Sequence, residues 1–139
     1  MARINISAQL RQRVSARANN QCEYCLLSER DSTVNHTIDH IRALKHGGTS
    51  DADNLALACV VCNRNKGSDI ATIDPENKIL VRLFDPRRDI WQDHFMLDGA
   101  NIVGLTPSGR GTVSILQFNE PTRVQDRAFL QAKGHFPTD

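Results

Sequence analysis

The sequence predicts an α+β fold in which a strand, a loop and a second strand lie between two pairs of cysteines, and a helix opens within the second pair. Three observations lead to this prediction. The cysteines form two C-x2-C pairs, which begin at Cys22 and Cys59. The intervening residues contain two short runs typical of strands, and a helix-length segment opens at Val60. We therefore expect a small mixed core, with a helix before it and an extension of strands and helices after it.

The length and composition favour one globular domain. A chain of 139 residues is long enough to bury one hydrophobic core. With 40% hydrophobic and 24% charged residues, it resembles neither a disordered nor a fibrous protein. We predict a single domain over residues 1–139, with its core at about 20–72 and an extension at about 76–139.

The net charge and the N-terminus bear on partners and location. A net charge of +1 does not by itself indicate a nucleic-acid partner, so any DNA-binding surface must arise from local clusters of cations. Residues 1–5 lack the apolar core of a signal peptide, and no apolar run approaches the roughly 20 residues of a membrane span. We expect a cytoplasmic protein whose reduced cysteines are metal ligands or thiols rather than disulfides.

Four elements are predicted around the cysteines. Ser7 is a candidate N-cap, and Leu10, Val14 and Ala18 recur at helical spacing after it. β-branched residues and short apolar runs favour strands further on. In chain order the elements are a helix after Ser7, a strand at 34–41, a strand at 54–58 and a helix at 60–66.

The extension carries its own signals. The dipeptide Asp98-Gly99 favours a tight hairpin turn, and Thr106-Pro107 is typical of a helix start. Gly109 and Gly111 weaken that helix. The predicted elements are a strand at 79–84, a hairpin built from WQDHFML and ANIVGLT, a helix after Thr106, and a helix after Glu120 with Val124, Ala128 and Phe129 at helical spacing.

The cysteines predict a structural zinc site. Cys22, Cys25, Cys59 and Cys62 can place four thiolates on one tetrahedral Zn²⁺. One C-x2-C pair alone could be a redox pair, and four buried free thiols are the plainer alternative. Two pairs with no cysteine left over favour zinc. Because four thiolates close the coordination shell, this metal should hold the fold and take no part in chemistry.

The residues between and after the cysteines resemble a known family. They include Ile38-Asp39-His40-Ile41, Gly47-Gly48, Asp53-Asn54-Leu55 and Cys62-Asn63. The run from Cys22 to Lys66, about a third of the chain, closely resembles the zinc-containing HNH endonucleases. It is similar also to their phage Holliday-junction resolvase subgroup, in which an asparagine follows the last zinc-binding cysteine. The resemblance implies a ββα-metal core and cleavage of DNA that leaves 5′-phosphate and 3′-hydroxyl ends.

The chemistry of phosphodiester hydrolysis suits these residue types. Carboxylate and amide oxygens such as those of Asp39 and Asn63 are ligands for a hard cation, Mg²⁺ or Mn²⁺. The imidazole of His40 is well matched to accept a proton from water near neutral pH. Neighbours on a strand point to opposite faces, so the strand must end or distort here for both residues to reach one phosphate.

The resemblance implies a role for each residue. Asp39 and Asn63 would be ligands of the catalytic metal, His40 the general base, and Asn54 the residue that ties the loop together and orients His40. Asn63 stands where other members carry a histidine, and Gly67, one turn further, cannot ligate. Two protein ligands argue for Mg²⁺ or Mn²⁺ recruited with substrate.

Each of these residues also has a plain structural interpretation. An Asp-His pair at a strand end is often only a solvated turn. Asn54 could simply begin a strand, and Asn63 could cap the N-terminus of a helix.

Cations near the proposed site are candidate phosphate contacts. Lys66 is the preferred one, followed by Arg64, Arg42 and Lys45. By period-two counting His36 shares a strand face with His40, so it either touches substrate or packs in the protein. The extension contributes Trp91, His94, Phe95, Arg87, Arg88, Arg110, Arg123 and Arg127, which could add DNA contacts or a homodimer face.

Two other function classes compete with a nuclease. One is a zinc-stabilised DNA-binding module that does not cleave, and the other is a structural zinc module that mediates protein contacts. The second leaves Asp39-His40 and Cys62-Asn63 without a role.

Overall fold

The computed structural model describes residues 6–139, so residues 1–5, on which the prediction about a signal peptide rests, lie outside the described part. Within it, no helix is both long enough and apolar enough to cross a bilayer. The helices are α1 (Ala8–Arg17), α2 (Val60–Lys66), α3 (Trp91–His94), α4 (Pro107–Ile115) and α5 (Pro121–Ala132). The strands are β1 (Thr37–His40), β2 (Leu55–Ala58), β3 (Ala71–Ile73), β4 (Leu80–Arg82), β5 (Phe95–Asp98) and β6 (Asn101–Gly104). The α+β prediction is confirmed.

Helix α1 begins where the sequence indicated. The Ser7 hydroxyl accepts a hydrogen bond from the Leu10 backbone amide at 3.1 Å, which satisfies one of the free amides of the first turn. Val14 is fully buried and packs with Leu55 and Leu57 of β2. The helix therefore covers one face of the strand that leads toward the second cysteine pair.

Strands β1 and β2 form an antiparallel ribbon in which Asp39 pairs with Ala56 and His40 with Leu55. Alternation along β2 directs leucines toward α1, while Ala56 and Ala58 join the buried cluster that contains the cysteines. Both strands are shorter than predicted. Strand β1 starts at Thr37, where its pairing with β2 begins. Before β2, Asn54 is the last residue of a short 3-10 turn.

Helix α2 has the predicted bounds, and its N-cap is Cys59. The Cys59 sulfur accepts a hydrogen bond from the Cys62 amide at 3.4 Å. Asn63 lies in the body of this helix, so the alternative in which Asn63 caps it is wrong. The chain leaves the helix at Gly67, whose φ of 52° is in the region that favours glycine.

The extension contains two further antiparallel pairs. β4 pairs with β3, a partner that the sequence analysis missed. β5 pairs with β6 around Gly99, whose φ is 60°, so the hairpin is confirmed. Its first half differs from the prediction, since residues 91–94 form a short helix before the strand starts at Phe95.

Helix α4 forms despite its glycines because they allow close packing. A Cβ atom at Gly109 would lie 2.2 Å from the His94 carbonyl oxygen, and one at Gly111 would lie 2.9 Å from methyl groups of Thr72 and Val81. The two residues let the helix approach β3, β4 and the start of the hairpin. Thr106 is its N-cap, as predicted.

Helix α5 buries a different face from the one that its apolar residues indicate. Arg127 and Leu130 are buried, whereas the side chain of Phe129 is 64% exposed. Arg127 donates to the Ala100 carbonyl at 2.8 Å, so its burial is compensated by hydrogen bonding. One cluster of buried side chains includes the cysteines together with phenylalanines and leucines of the extension.

Candidate functional site

The four cysteine side chains converge at one point. Their sulfur atoms all lie within 4.8 Å of one another, and all four residues are buried. The sulfur atoms of Cys25 and Cys59 are 3.7 Å apart. Four thiolates arranged tetrahedrally around zinc at ~2.3 Å stand about 3.8 Å apart, so the spacing fits that ion. The cysteines are positioned to form a metal site.

The two knuckles are built alike, and α5 contributes a cation. The amide of Cys25 donates to the sulfur of Cys22 at 3.4 Å, matching the bond within the second pair. One guanidinium nitrogen of Arg123 lies 3.1 Å from the Cys62 sulfur and 3.9 Å from that of Cys59. A divalent ion with four thiolates carries net negative charge, which this guanidinium offsets.

Tyr24, inside the first knuckle, connects the cysteines to Asp39. Its buried hydroxyl donates to Asp39 Oδ2 at 2.6 Å. Its backbone carbonyl accepts a hydrogen bond from the Trp91 indole at 2.9 Å, which fixes the knuckle against the extension. Sequence reasoning missed Tyr24, although its place between two ligand cysteines put it near any residue that packs beneath the knuckle.

Asp39 lies at the centre of a buried polar cluster, which we call the Asp39 cluster: Tyr24, Asp39, Asn63 and Lys66. The Asp39 residue is 3% exposed. The Lys66 ammonium lies 3.2 Å from Oδ2 and 3.3 Å from Oδ1, and the Asn63 amide nitrogen donates to Oδ1 at 3.4 Å. The structure thus brings together the two side chains that the resemblance implies as metal ligands.

Burial dominates the electrostatics of Asp39. It raises the pKa of the Asp39 carboxyl above its ordinary value, while Lys66 and the Tyr24 hydroxyl act in the opposite direction. A buried carboxylate of this kind gains from any cation that approaches it. The cluster is therefore chemically suited to hold a positive charge.

His40 is the last residue of β1, so the strand ends where the sequence analysis required it to end. Its ring is half-buried, and Nε2 lies 3.0 Å from the Ser50 hydroxyl oxygen. Ser50 comes from the loop between the two strands. No pattern in the sequence distinguished it from other loop residues, and it was missed.

Asn54 closes that loop. Its amide nitrogen donates to the carbonyls of Arg42 at 2.9 Å and Thr49 at 2.7 Å, and its amide oxygen accepts from the Arg42 amide at 3.0 Å. Gly48 allows the two sides of the loop to approach each other, because a Cβ atom there would lie 1.8 Å from the Arg42 carbonyl oxygen. The predicted tying of the loop by Asn54 is what the hydrogen bonds show.

Two predicted substrate contacts need correction. Lys66 is only 2% exposed, and its ammonium faces Asp39 and the His40 carbonyl, so it does not present a charge to a phosphate at the surface. His36 precedes β1 and is buried, with Nε2 2.8 Å from the Leu27 carbonyl oxygen, which is a packing role. Arg42, Lys45 and Arg64 are exposed and stay predictions.

Most of the extension's candidate cations are held internally. Arg87 pairs with Glu23, and Arg110 pairs with Asp74 at 2.7 Å. Arg123 and Arg127 are bound as described above. Arg88 is the exposed member of the predicted set, so a DNA contact from these arginines would rest on it. Trp91 and Phe95 pack together, with ring centroids 5.0 Å apart, and so serve the core.

A groove of about 660 Å³ lies beside the Asp39 cluster. Its lining includes Lys66, Asn54 and the arginines Arg42, Arg82 and Arg88. Arg82 forms an ion pair with Asp89 at 2.7 Å, whereas Arg88 lies 3.9 Å from its acidic neighbour Asp85. Arg42 and Arg88 are therefore the arginines of the groove that are held less tightly. The groove therefore meets the cluster at Lys66, while Asp39 and Asn63 are not among its lining residues.

Comparison with known proteins identifies the cysteine region. Residues 22–69 match the family model described as HNH endonuclease. The match includes all four cysteines, the Asp39 cluster, His40 and the loop. No curated protein and no solved structure matches the chain. Residues 22–69 therefore match the HNH endonuclease model and contain four cysteines placed for a metal.

Proposed function

We propose that the chain is a metal-dependent DNA endonuclease that hydrolyses phosphodiester bonds by a one-metal mechanism. The strongest support is the position of Asp39. This buried residue of β1 lies beside Asn63 of α2 and directly precedes His40, the last residue of the strand. These residues lie inside the segment that matches the HNH endonucleases, and the groove next to them opens to solvent.

The cysteine quartet would hold a structural zinc ion. Four thiolates are soft ligands that suit zinc, and they leave no open position for water or substrate. Its place between the knuckles supports a role in holding the first knuckle against α2.

The second metal would be Mg²⁺ or Mn²⁺, held by Asp39 and Asn63. Their oxygens are hard ligands, and such ions keep several waters and borrow others from substrate phosphate. When bound, the ion would offset charge on the phosphate and on the leaving 3′ oxygen. Asn63 now directs its amide nitrogen at Asp39, so ligation requires its amide to turn and present the oxygen.

His40 would be the general base. Since the Ser50 hydroxyl engages Nε2, Nδ1 is the ring nitrogen free to accept a proton from the attacking water. Ser50 would fix the ring orientation. Asn54 would act through the same loop, because the backbone that it ties carries Thr49 directly before Ser50.

DNA would lie across the groove and the loop. Arg42, Lys45 and Arg64 are exposed around the site and would bind phosphates. The predicted homodimer stays a prediction.

A DNA-binding module without cleavage is the second candidate. The favouring observation is the ion pair between Lys66 and Asp39, because a carboxylate neutralised by a lysine needs no metal. A nicking assay with metals exchanged separates the two functions.

The test is cleavage of supercoiled plasmid in Mg²⁺ or Mn²⁺ by wild-type protein and by His40→Ala. We expect the variant to lose about 10²–10⁴-fold in rate, the usual contribution of general base catalysis, with DNA affinity retained. His46→Ala is the matched control, since His46 is an exposed histidine of the same loop. Equal cleavage by wild-type protein and His40→Ala would refute the base assignment, and absence of cleavage by wild type in every metal would refute the nuclease.

A further inference from the structure

We propose that the Lys66 ammonium is a resident counter-cation of Asp39, which a divalent ion must displace in order to bind. The proposal rests on the metal site proposed above, at Asp39 and Asn63. It makes Lys66 a positioning residue that sets the metal concentration at which the site fills. The sequence analysis had assigned this lysine to a DNA phosphate.

All acceptor positions of the Asp39 carboxylate are occupied. Two carboxylate oxygens offer about four lone pairs. Oδ2 accepts from Tyr24 at 2.6 Å and lies 3.2 Å from the Lys66 ammonium. Oδ1 lies 3.3 Å from the same ammonium and accepts from Asn63 at 3.4 Å. A metal that binds Asp39 must therefore replace at least one of these donors.

Lys66 is the donor that leaves the Asp39 carboxylate when a metal binds. Tyr24 is neutral and makes the shortest of these contacts, and Asn63 can turn its amide to become a ligand itself. An ammonium held within ~4 Å of a dication in a buried site is strongly repelled, because the effective dielectric constant there is low. The metal and the ammonium thus compete for the same carboxylate.

The groove offers space for the displaced Lys66 side chain. Lys66 also donates to the His40 carbonyl at 3.0 Å, and it is one of the residues that line the groove. Its flexible four-carbon stem allows the ammonium to move from the carboxylate into that groove.

The experiment measures Mn²⁺ affinity without DNA, by electron paramagnetic resonance of free Mn²⁺ during titration of zinc-loaded protein. Lys66→Met keeps the length of the side chain and removes the charge. We expect it to bind Mn²⁺ about tenfold or more tighter than wild type, since a competing cation close to the carboxylate is gone. Lys133→Met, which removes a charge from the exposed residue that directly follows α5, should bind as wild type does.

An affinity of Lys66→Met equal to or weaker than that of wild type would overturn the proposal. A second measurement covers the case in which this buried substitution prevents folding. In wild-type protein with ¹⁵N-labelled lysine, the Lys66 ammonium should give a slowly exchanging signal that shifts or vanishes at saturating Mg²⁺. A signal that persists unchanged would equally refute displacement.

These outcomes are separable from those of the nuclease assay. Tighter Mn²⁺ binding by Lys66→Met in a protein that cuts no DNA would support the counter-cation and refute the nuclease. Cleavage by wild type together with unchanged Mn²⁺ affinity in Lys66→Met would do the reverse.

Discussion

The cysteine quartet and the Asp39 cluster are adjacent and both buried, yet they handle charge in opposite ways. The quartet gathers four identical soft ligands into a closed shell, and Arg123 approaches it from outside. The Asp39 cluster gathers one carboxylate, one amide, one phenol and one ammonium, and a groove reaches its edge. The quartet is positioned to form a metal site, whereas the Asp39 carboxylate is already paired with a lysine of the same chain.

Under the proposed function, the quartet would provide stability and the Asp39 cluster would provide chemistry. Metal bound by four thiolates contributes folding free energy, because the unfolded chain cannot preform the site. A carboxylate balanced by its own lysine lets the fold persist whether or not a divalent ion is bound. Tyr24 joins the two sites through one hydrogen bond, so each can be perturbed and the other observed.

The largest expected effect is on the quartet. Cys59→Ser should lose zinc and soluble fold together, because structural zinc binding contributes roughly 10 kcal/mol, as much as the whole stability of an ordinary domain. Elemental analysis and circular dichroism provide the measurement. Val60→Ser, at a more exposed neighbouring position, is the control. Full zinc content in purified Cys59→Ser would contradict the four-ligand site.

A smaller effect is expected in the Asp39 cluster. Asp39→Ala removes the partner of a lysine that is 2% exposed, and leaving one half of a buried ion pair costs about 3–5 kcal/mol. Urea denaturation in the presence of zinc would measure the loss. Asp53→Ala, at an exposed acidic residue of the adjacent loop, should change stability little. Comparable small losses in both variants would mean that the ion pair contributes nothing to the fold.

The smallest of the three tests the connection between the sites. Tyr24→Phe deletes the hydroxyl that donates to Asp39, and loss of a hydrogen bond to a charged group costs about 1–3 kcal/mol. Zinc content, measured by elemental analysis, should stay at one ion per chain while the urea midpoint falls. Trp91→Phe removes the neighbouring bond to the Tyr24 carbonyl without touching Asp39 and serves for comparison. Zinc loss in Tyr24→Phe would show that the two sites are not independent.

Local signals predicted much of the fold. Helix α2 has its predicted bounds because a cap residue and a glycine stop mark both ends, and Ser7 and Thr106 mark the starts of α1 and α4. Strand β3 was missed because three residues carry little periodicity, and it is defined by pairing with β4. Helical spacing did not predict which residues of α5 are buried. Phe129 is exposed, whereas Arg127 is buried because hydrogen bonds compensate its burial, and these bonds leave no pattern in the sequence.

The candidate site divides in the same way. Asp39, Asn54 and Asn63 were selected through the resemblance to the HNH endonucleases, and their roles stay predictions. The burial of Lys66 was not predicted, although Asn63 and Lys66 are three residues apart on a helix and so share a face. A basic residue next to a motif was interpreted as a surface cation, whereas tertiary packing decides whether its charge reaches solvent.

The guanidinium of Arg123 has a consequence for where this protein can be cut. A fragment limited to residues 20–72 would retain every cysteine and every motif residue, yet it would lack the cation beside Cys62 and the indole that anchors Tyr24. This segment therefore depends on contacts from the rest of the chain. A graft onto another protein should extend through α5, because Arg123 of that helix lies beside the sulfur atoms of the second knuckle.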